Sequence, residues 1–240
     1  PFTHTEQSRE FGGVAGTMAA NGLGDVRLLA RYWLSSGAES APWYASIGAR
    51  LPTGKSDEKF RARNGRVVTQ DLAAQAGTGN FAGIVELGGS RTIGRRLGLG
   101  LSARYIFTPE ATTVANFRHE LTGTGPARNS DADALTTRLG LVTPLSTGAG
   151  AWSAVTLGVL ADFAWIPKHD LFGETEGFRR AGPMLFVGPT ASWSPLPALS
   201  LGAAVPITVY RDMQENGGNV QEWTLQFSLS YRRLLGRGGA

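Results

Sequence analysis

Apolar and polar side chains alternate strictly over the segment Trp223–Tyr231, which reads Trp-Thr-Leu-Gln-Phe-Ser-Leu-Ser-Tyr. Successive side chains of a β-strand point to opposite faces, so this segment presents one apolar face and one polar face. The same period of two recurs in eight segments upstream. The sequence therefore predicts nine strands, at Val26–Leu34, Trp43–Leu51, Phe81–Gly89, Leu97–Phe107, Leu135–Thr143, Val155–Trp165, Leu185–Trp193, Leu199–Val209 and Trp223–Tyr231.

The composition of the chain agrees with an all-β protein. Glycine makes up 33 of 240 residues and charged residues 18%, against averages of about 7% and about 25%, while the mean hydropathy is −0.10. A helical multi-span membrane protein would need several runs of about 20 apolar residues, and a disordered chain would carry more charge and fewer aromatic residues. Both classes are excluded.

Charge and cysteine usage narrow the function further. The chain has no cysteine, which excludes thiolate catalysis, disulfides and cysteine zinc sites. The net charge of +4 is not concentrated in one block, so no nucleic-acid partner is expected. The chain begins at Pro1 without a charged and an apolar leader region, and we expect any export signal to have been removed.

The links between the predicted strands alternate between short and long. The longest are Pro52–Asn80 and Thr108–Ala134, whereas a short link such as Ser194–Ala198 has turn length. Short turns at one end and long polar loops at the other are typical of an antiparallel up-and-down transmembrane β-barrel. We expect a single domain over residues 1–240 that is inserted in a bacterial outer membrane and contacts its lipid and lipopolysaccharide.

The nine clear strands leave an odd count, whereas bacterial outer-membrane barrels have an even number of strands. An even number of strands requires one more strand near the N-terminus, so we predict ten strands, with twelve as the alternative. Residues 1–21 supply a weak or irregular first strand, and residues 232–240 form a C-terminal tail.

Pro189 and Pro206 interrupt predicted strands, and a bulge or an early strand end is expected at each.

Aromatic residues lie at the ends of the predicted strands, in phase with the apolar face. Outer-membrane barrels place such residues at both membrane interfaces. The lipid-interface candidates are Trp43, Phe81, Phe107, Trp165, Trp193, Trp223 and Tyr231. In the alternative of a soluble barrel or sandwich, the apolar phase packs inward and these aromatic residues cap a core.

Charged residues occupy the opposite phase and would face the interior of a barrel. Five are basic and two are acidic, which leaves a positive surplus of three that would favour anions. The alternative is a salt-bridged plug, because small barrels are filled by side chains. The lumen-lining candidates are Arg27, Arg31, Arg50, Glu86, Arg104, Arg138 and Asp162.

Several motifs with catalytic or ligand-binding associations are rejected on their context. The segment Ala49–Ser56 resembles a phosphate-binding loop, but alanine replaces its first glycine and no helix pattern follows. The segment Gly98–Ala103 resembles a dinucleotide fingerprint but lies within a predicted strand. Asp131 and Asp133 supply too few carboxylates for calcium and are interpreted as solvated loop residues.

The three histidines, His4, His119 and His169, show no metal-ligand spacing and no partner serine in the apolar phase. We therefore predict no catalytic residue, no metal and no cofactor. A membrane enzyme using His119 or His169 is the most distant of the alternatives.

Three segments carry a resemblance to a known family. Gly22-Leu23-Gly24-Asp25 opens the first clear strand, Leu51-Pro52-Thr53-Gly54-Lys55 closes the second, and Gln75-Ala76-Gly77-Thr78-Gly79 precedes the third. Their order and spacing resemble the outer-membrane family labelled after the MetA pathway of phenol degradation. The resemblance implies an outer-membrane barrel that passes small, often aromatic or hydrophobic molecules, and it implies no catalytic residue. Arg232-Arg233-Leu234-Leu235 stands where a terminal aromatic residue is expected.

The resulting expectation is a narrow passive channel or uptake pore for small molecules, aromatic or anionic, whose two longest loops gate access. The alternative is a non-transporting barrel that anchors or completes a larger envelope assembly, as a homo-oligomer or with another envelope protein.

Overall fold

The computed structural model describes residues 2–11, 14–34, 42–61, 65–70, 75–94, 96–109, 114–115, 120, 123, 128–129, 131–146, 154–172, 181–196, 198–213 and 222–231. Eight of the nine predicted strands are present with boundaries shifted by a few residues, and the ninth, Leu199–Val209, is divided into two strands. The strands are β1 (Phe2–Phe11), β2 (Val14–Leu23), β3 (Val26–Trp33), β4 (Trp43–Leu51), β5 (Lys59–Arg61), β6 (Val67–Thr69), β7 (Ala82–Ile93), β8 (Leu97–Phe107), β9 (Val114–Ala115), β10 (Arg128–Asn129), β11 (Ala134–Pro144), β12 (Val155–Ile166), β13 (Gly182–Leu196), β14 (Leu199–Ala204), β15 (Ile207–Arg211) and β16 (Gln226–Tyr231).

One antiparallel sheet contains all of the long strands that follow β2. Its strands neighbour one another in chain order, β3-β4-β7-β8-β11-β12-β13, then β14 and β15 beside β13, and β16 beside β14. This order confirms the prediction of an all-β, antiparallel up-and-down arrangement. The sheet curls into a half-barrel, and among the described residues its two edges, β3 and β16, are not paired with each other.

The N-terminal residues form a hairpin where the sequence predicted a single irregular strand. Strands β1 and β2 pair with each other from Phe2 opposite Leu23 to Phe11 opposite Val14. Within the described part of the chain, neither strand pairs with the main sheet, and β2 lies against β5. The run His4–Glu10 is polar throughout and has no apolar face of its own, which fits its position outside the main sheet.

The loops that follow β4 and β8 contain short strand pairs of their own. Strands β5 and β6 form a hairpin inside the first loop, and β9 pairs with β10 inside the second. Phe60 and Val68, which face each other across the β5–β6 pair, are buried. The first loop is therefore a folded element with a small apolar centre.

Burial along the strands is inverted relative to a soluble protein. In β7 the side chains of Ile84 and Glu86 are 1% and 4% exposed, whereas Val85 and Leu87 are 45% and 59% exposed. Ile47, which is paired with Val85 on the neighbouring strand, is 70% exposed. Among the described residues, the apolar phase of the central strands therefore faces outward, opposite to the soluble-barrel alternative.

The two prolines interrupt strand pairing on the β14–β15 side of β13 and leave the β12 side continuous. β14 ends at Ala204, just before Pro206, which confirms the early strand end expected there. β13 runs through Pro189 without a shift in its register to β12, so the bulge expected at Pro189 is not observed. The Pro189 carbonyl accepts the Val205 N–H at 3.1 Å, but proline has no N–H to return a bond. The missing ladder bond explains why the break falls at Val205 and Pro206.

Candidate lumen and loop-side rim

The concave face of the half-barrel carries the seven charged residues that the sequence predicted to face inward. Pairing places Arg31 opposite Ser46, Ser46 opposite Glu86, and Glu86 opposite Arg104, so these side chains form a row across four strands. Side chains directly opposite in an antiparallel pair share a face. The register therefore brings charges from distant parts of the chain into one line, which we call the charged row.

Glu86 is the centre of the charged row. Its carboxylate accepts a hydrogen bond from Arg31 Nη2 at 2.9 Å and another from Arg104 Nε at 2.7 Å. Arg31 also donates from Nε to the Ser46 hydroxyl at 3.2 Å and lies 3.7 Å from the ring centroid of Tyr44, a cation–π contact. The carboxylate is almost fully covered, while the two arginines keep about 40% of their side-chain surface exposed. One carboxylate thus fixes two arginines that border open space.

A second charged pair lies beside the first. Arg138 donates to both oxygens of Asp162, from Nε at 2.7 Å and from Nη2 at 2.8 Å, which is the two-pronged geometry favoured by guanidinium and carboxylate. Arg138 Nη2 also donates to Gln226 Oε1 at 3.1 Å. Because Gln226 lies on β16, this bond crosses the concave side of the sheet.

An open pocket of about 330 Å³ lies between these groups. Charged and polar side chains make up much of its wall, with Phe186 and Pro206 as apolar members. The polar residues that line it are Glu86, Ser102, Arg104, Thr136, Thr137, Arg138, Asp162 and Gln226.

Asp25 anchors the first long loop at the end of the half-barrel where the long loops emerge. One carboxylate oxygen accepts the Gly54 N–H at 2.9 Å, and the other accepts the Thr78 N–H at 2.9 Å and the Thr78 hydroxyl at 2.6 Å. Burial acts to raise the pKa of Asp25, but the bonds from Thr78 and Gly54 and the charge of Arg50 together lower it below its ordinary value of 3.8. The carboxylate thus ties both ends of the loop to the start of β3.

Arg50 binds the second long loop at the same end. Its Nη1 lies 2.6 Å from Asp131 Oδ2 and its Nε 3.8 Å from Asp25 Oδ2, and its side chain is 5% exposed. Arg27 stands directly opposite Arg50 in the β3–β4 register and is exposed. We call Asp25, Arg27, Arg50 and Asp131 the rim cluster.

The positive surplus predicted for the interior is smaller in the structure. The sequence set five arginines against Glu86 and Asp162, a surplus of three. Asp25 and Asp131 also lie within ion-pair distance of Arg50. Five arginines therefore face four carboxylates, which leaves a surplus of one. Asp25 lies between two strands and Asp131 lies in a loop. The alternation within strands gives no information about residues at such positions.

The interpretation of Asp131 and Asp133 as solvated loop residues is wrong. Asp131 pairs with Arg50, and Asp133 is fully buried. The Asp133 carboxylate accepts the Tyr105 hydroxyl at 2.6 Å, the Thr108 N–H at 3.1 Å and the Leu171 N–H at 2.9 Å. Asp133 thus joins the ends of β8 and β11 to the loop that follows β12.

The two longest loops contact each other. The Glu120 carboxylate, in the second loop, accepts the Thr69 N–H and the Thr69 hydroxyl of the first loop. Arg66 Nη2 donates to the Glu120 carbonyl at 2.9 Å. These bonds join the two loops at Thr69 and Glu120.

The predicted interface aromatics lie at strand ends, and six of them are exposed. Phe107 differs because it covers Gly83 and packs against Phe172 of the loop after β12, with ring centroids 5.0 Å apart. The exposed six are Trp43, Phe81, Trp165, Trp193, Trp223 and Tyr231.

Two of the rejected motifs lie in the structural settings that the sequence predicted. Gly98–Ala103 lies within β8, and Lys55 lies in an irregular segment after β4, where it pairs with Glu58 at 2.9 Å. His169 is exposed in a loop, and His119 and the tail residues 232–240 lie outside the described residues. Within the described ranges, no group of three or more potential ligands is placed to hold a metal ion.

Comparison with known proteins gives no family assignment: no family model matches the chain, and no curated protein is significantly similar to it. In the part of the chain that the structure describes, no helix combines the length and the apolar character needed to cross a bilayer.

Proposed function

We propose that this protein is a bacterial outer-membrane β-barrel that acts as a narrow passive channel for small molecules, with a preference for anionic or aromatic solutes. The observation that carries the proposal is the inverted alternation: the charged phase of the strands is turned inward and the apolar phase outward. Exposed apolar surface on this scale marks contact with another apolar phase, and an apolar outer band with aromatic residues at its borders is typical of membrane barrels.

Lipid contact is further supported by the exposed residues of the central strands. Leu87, Leu139 and Val159 are each more than 40% exposed. The residues on either side of Leu87 and Leu139 along their strands are small or charged. Exposure of such an apolar band to water would be unfavourable in free energy. A bilayer also requires that backbone donors and acceptors at the sheet edges be satisfied, so we propose that the sheet closes into a barrel in the membrane.

A conducting path is supported by the space on the concave face. A Cβ atom added at Gly100 or Gly140, which are paired in register, would meet no atom within 4 Å. The open pocket of about 330 Å³ lies further toward the loop side. Barrels of about eight strands are filled by side chains, so a barrel of about ten strands with paired inward glycines would leave a narrow passage.

The charged row would set the preference of this passage. Arg31 and Arg104 are held by Glu86 but keep exposed surface, and a confined arginine attracts anions and repels cations. Because the surplus charge is one, we propose a modest anion preference in place of strict selectivity.

Conductance across a planar lipid bilayer tests this function. We expect discrete openings from the purified protein and a reversal potential, in a salt gradient, that indicates anion preference. Arg27→Ser and Arg104→Ser should each reduce that preference, while Arg91→Ser, an exposed arginine near the short-turn end of β7, should leave it unchanged. A folded protein that gives no conductance would contradict the channel, and an unchanged ion preference in both variants would contradict the role of the inward arginines.

One observation favours the alternative of a closed barrel that anchors a larger envelope assembly. Glu86, Asp162 and Asp131 each pair with inward arginines, and such a network can fill a small barrel. A silent barrel would support this alternative. The membrane assignment itself is tested by gel mobility: a folded outer-membrane barrel should migrate differently before and after boiling, and equal mobility together with partition as a soluble protein would contradict it.

A further inference from the structure

We propose that Arg27 and Arg50 form a binding site for small carboxylate anions at the loop-side mouth of the barrel, and that Asp131 occupies this site as an internal ligand. The inference deepens the proposed function, because it names a class of solute and the residues that would select it. It rests on four observations about the rim cluster.

The first observation is that Arg50 is buried with unused donors. Its side chain is 5% exposed, and among the described residues its Nε and Nη2 atoms have no hydrogen-bond partner. Leaving buried charged donors unpaired is costly in free energy. The guanidinium is therefore positioned for an acceptor that the folded chain supplies incompletely.

The second observation concerns how Asp131 meets the guanidinium. One Asp131 oxygen lies 2.6 Å from Arg50 Nη1, whereas a free carboxylate can accept two parallel bonds from one edge of a guanidinium. A solute carboxylate that engaged Nη1 and Nη2 together would satisfy a donor that Asp131 leaves unused. A solute carboxylate in place of Asp131 would therefore bind Arg50 through both Nη1 and Nη2, where Asp131 contacts Nη1.

The third observation is the position of Arg27. It lies directly opposite Arg50 across the β3–β4 pair, where Cβ atoms are about 4.5–5.5 Å apart, and two like charges in such positions repel each other. Arg27 is exposed while Arg50 is buried. An incoming anion would thus meet Arg27 first and would reduce the repulsion between the two arginines when bound.

The fourth observation excludes Asp25 as the internal ligand. Both of its oxygens are engaged by Gly54 and Thr78, and its nearest approach to Arg50, 3.8 Å, exceeds hydrogen-bond distance. Asp131, in contrast, lies on the second long loop, where its departure would free Arg50 without breaking the anchor of the first loop. Exchange of Asp131 for a solute would therefore free Arg50 while Asp25 keeps the first loop anchored.

Titration calorimetry on the refolded protein in detergent tests the site without requiring conductance. The probes are sodium benzoate, which carries a carboxylate, and benzamide, which has the same shape but no charge. We expect Asp131→Asn to bind benzoate at least tenfold more tightly than the unaltered protein, because the internal competitor is neutralised. Benzamide should bind equally weakly to both. The double variant Asp131→Asn with Arg50→Gln should lose the gain.

Matched controls separate the site from general charge effects. Asp57→Asn removes an exposed acid of the first loop, and Arg91→Gln removes an arginine outside the rim cluster; neither should change benzoate affinity. If Asp131→Asn does not show the boiling-dependent gel shift of a folded barrel, Asp131→Ser replaces it as the neutralising variant.

Three results would overturn the inference: unchanged or weaker benzoate binding in the folded neutralised variant, equal gains for benzoate and benzamide, or a gain that survives loss of Arg50. These outcomes are independent of the proposed function. A barrel that binds benzoate as expected but conducts no ions would contradict the channel alone, and a conducting barrel without the gain would contradict the carboxylate site alone.

Discussion

Arg138 and Gln226 are hydrogen-bonded at 3.1 Å although 88 residues separate them in the chain. Arg138 lies on β11 and Gln226 on β16, and three ladder positions, occupied by β12, β13 and β14, lie between those strands. Two side chains this far apart along a flat sheet could not touch, since neighbouring strands are about 4.8 Å apart. The bond is therefore direct evidence of the curvature of the sheet.

Removal of this cross-sheet bond should weaken the fold measurably. We expect Gln226→Ala to lower the free energy of unfolding by about 0.5–1.5 kcal/mol, the usual net contribution of one hydrogen bond. Urea unfolding followed by tryptophan fluorescence would measure it. Ser230→Ala, on the same face of β16, is the matched control and should change stability less. Equal effects would show that the Gln226 bond contributes nothing specific.

Neutralisation of Glu86 should have a larger effect, because this carboxylate holds Arg31 and Arg104 together. We expect Glu86→Gln to cost about 1–3 kcal/mol, less than the 3–5 kcal/mol typical of fully buried pairs because both arginines are partly exposed. Glu58→Gln, which removes an ion pair with the exposed Lys55, should cost much less than Glu86→Gln. A Glu86 variant as stable as the Glu58 variant would contradict the central role of Glu86.

The lowered pKa of Asp25 predicts an acid-dependent loss of loop anchoring. A carboxyl group whose pKa is lower in the folded than in the unfolded state stabilises the fold above its unfolded pKa, and this contribution disappears as the pH falls through the folded value. The stability difference between the unaltered protein and Asp25→Asn should thus be constant above about pH 5 and shrink below about pH 4. Unfolding midpoints measured from pH 7 to pH 2 would check it, and a difference independent of pH would contradict the assignment.

Two inward glycines should respond oppositely to alanine. A Cβ at Gly188 would overlap the Val205 carbonyl, at the point where the strand breaks before Pro206, whereas a Cβ at Gly140 would meet nothing within 4 Å. We expect Gly188→Ala to destabilise the protein by about 1–3 kcal/mol. Gly140→Ala should be neutral or stabilise it by up to about 1 kcal/mol, because alanine restricts the unfolded chain. Thermal or urea unfolding of both variants measures the difference, and similar losses in both would mean that the Gly140 site is not open.

The two faces of the sheet should respond differently to an added arginine. Leu139 is 41% exposed on the outer face, and arginine on the lipid face of a membrane barrel costs about 2–4 kcal/mol near the bilayer midplane. We expect Leu139→Arg to reduce refolding into lipid vesicles, scored by the boiling-dependent gel shift. Gly100→Arg, whose side chain would enter open space on the concave face, should refold nearly as well as the unaltered protein. Equal refolding of both variants would contradict lipid contact at Leu139.

The period of two along the chain was sufficient to predict the nine long strands and the residues that share a face. Each strand is a local pattern, so Trp43–Leu51 or Leu97–Phe107 can be recognised from its own residues. The N-terminal hairpin was not predicted, because β1 lacks alternation. Its pairing with β2, which defines the hairpin, is visible only in the tertiary structure. The break beside Pro206 was recognised, since proline removes a backbone donor wherever it stands.

The sequence by itself determined the strand pattern and which strand residues share a face, because both follow from local spacing. The tertiary structure decided which charges meet. Asp25 reaches Gly54 and Thr78 over 29 and 53 residues, and Arg50 reaches Asp131 from a different loop. These partners are brought together by register and curvature, which depend on how every strand pairs with the next. The balance of charge on the concave face is therefore a property of the folded sheet.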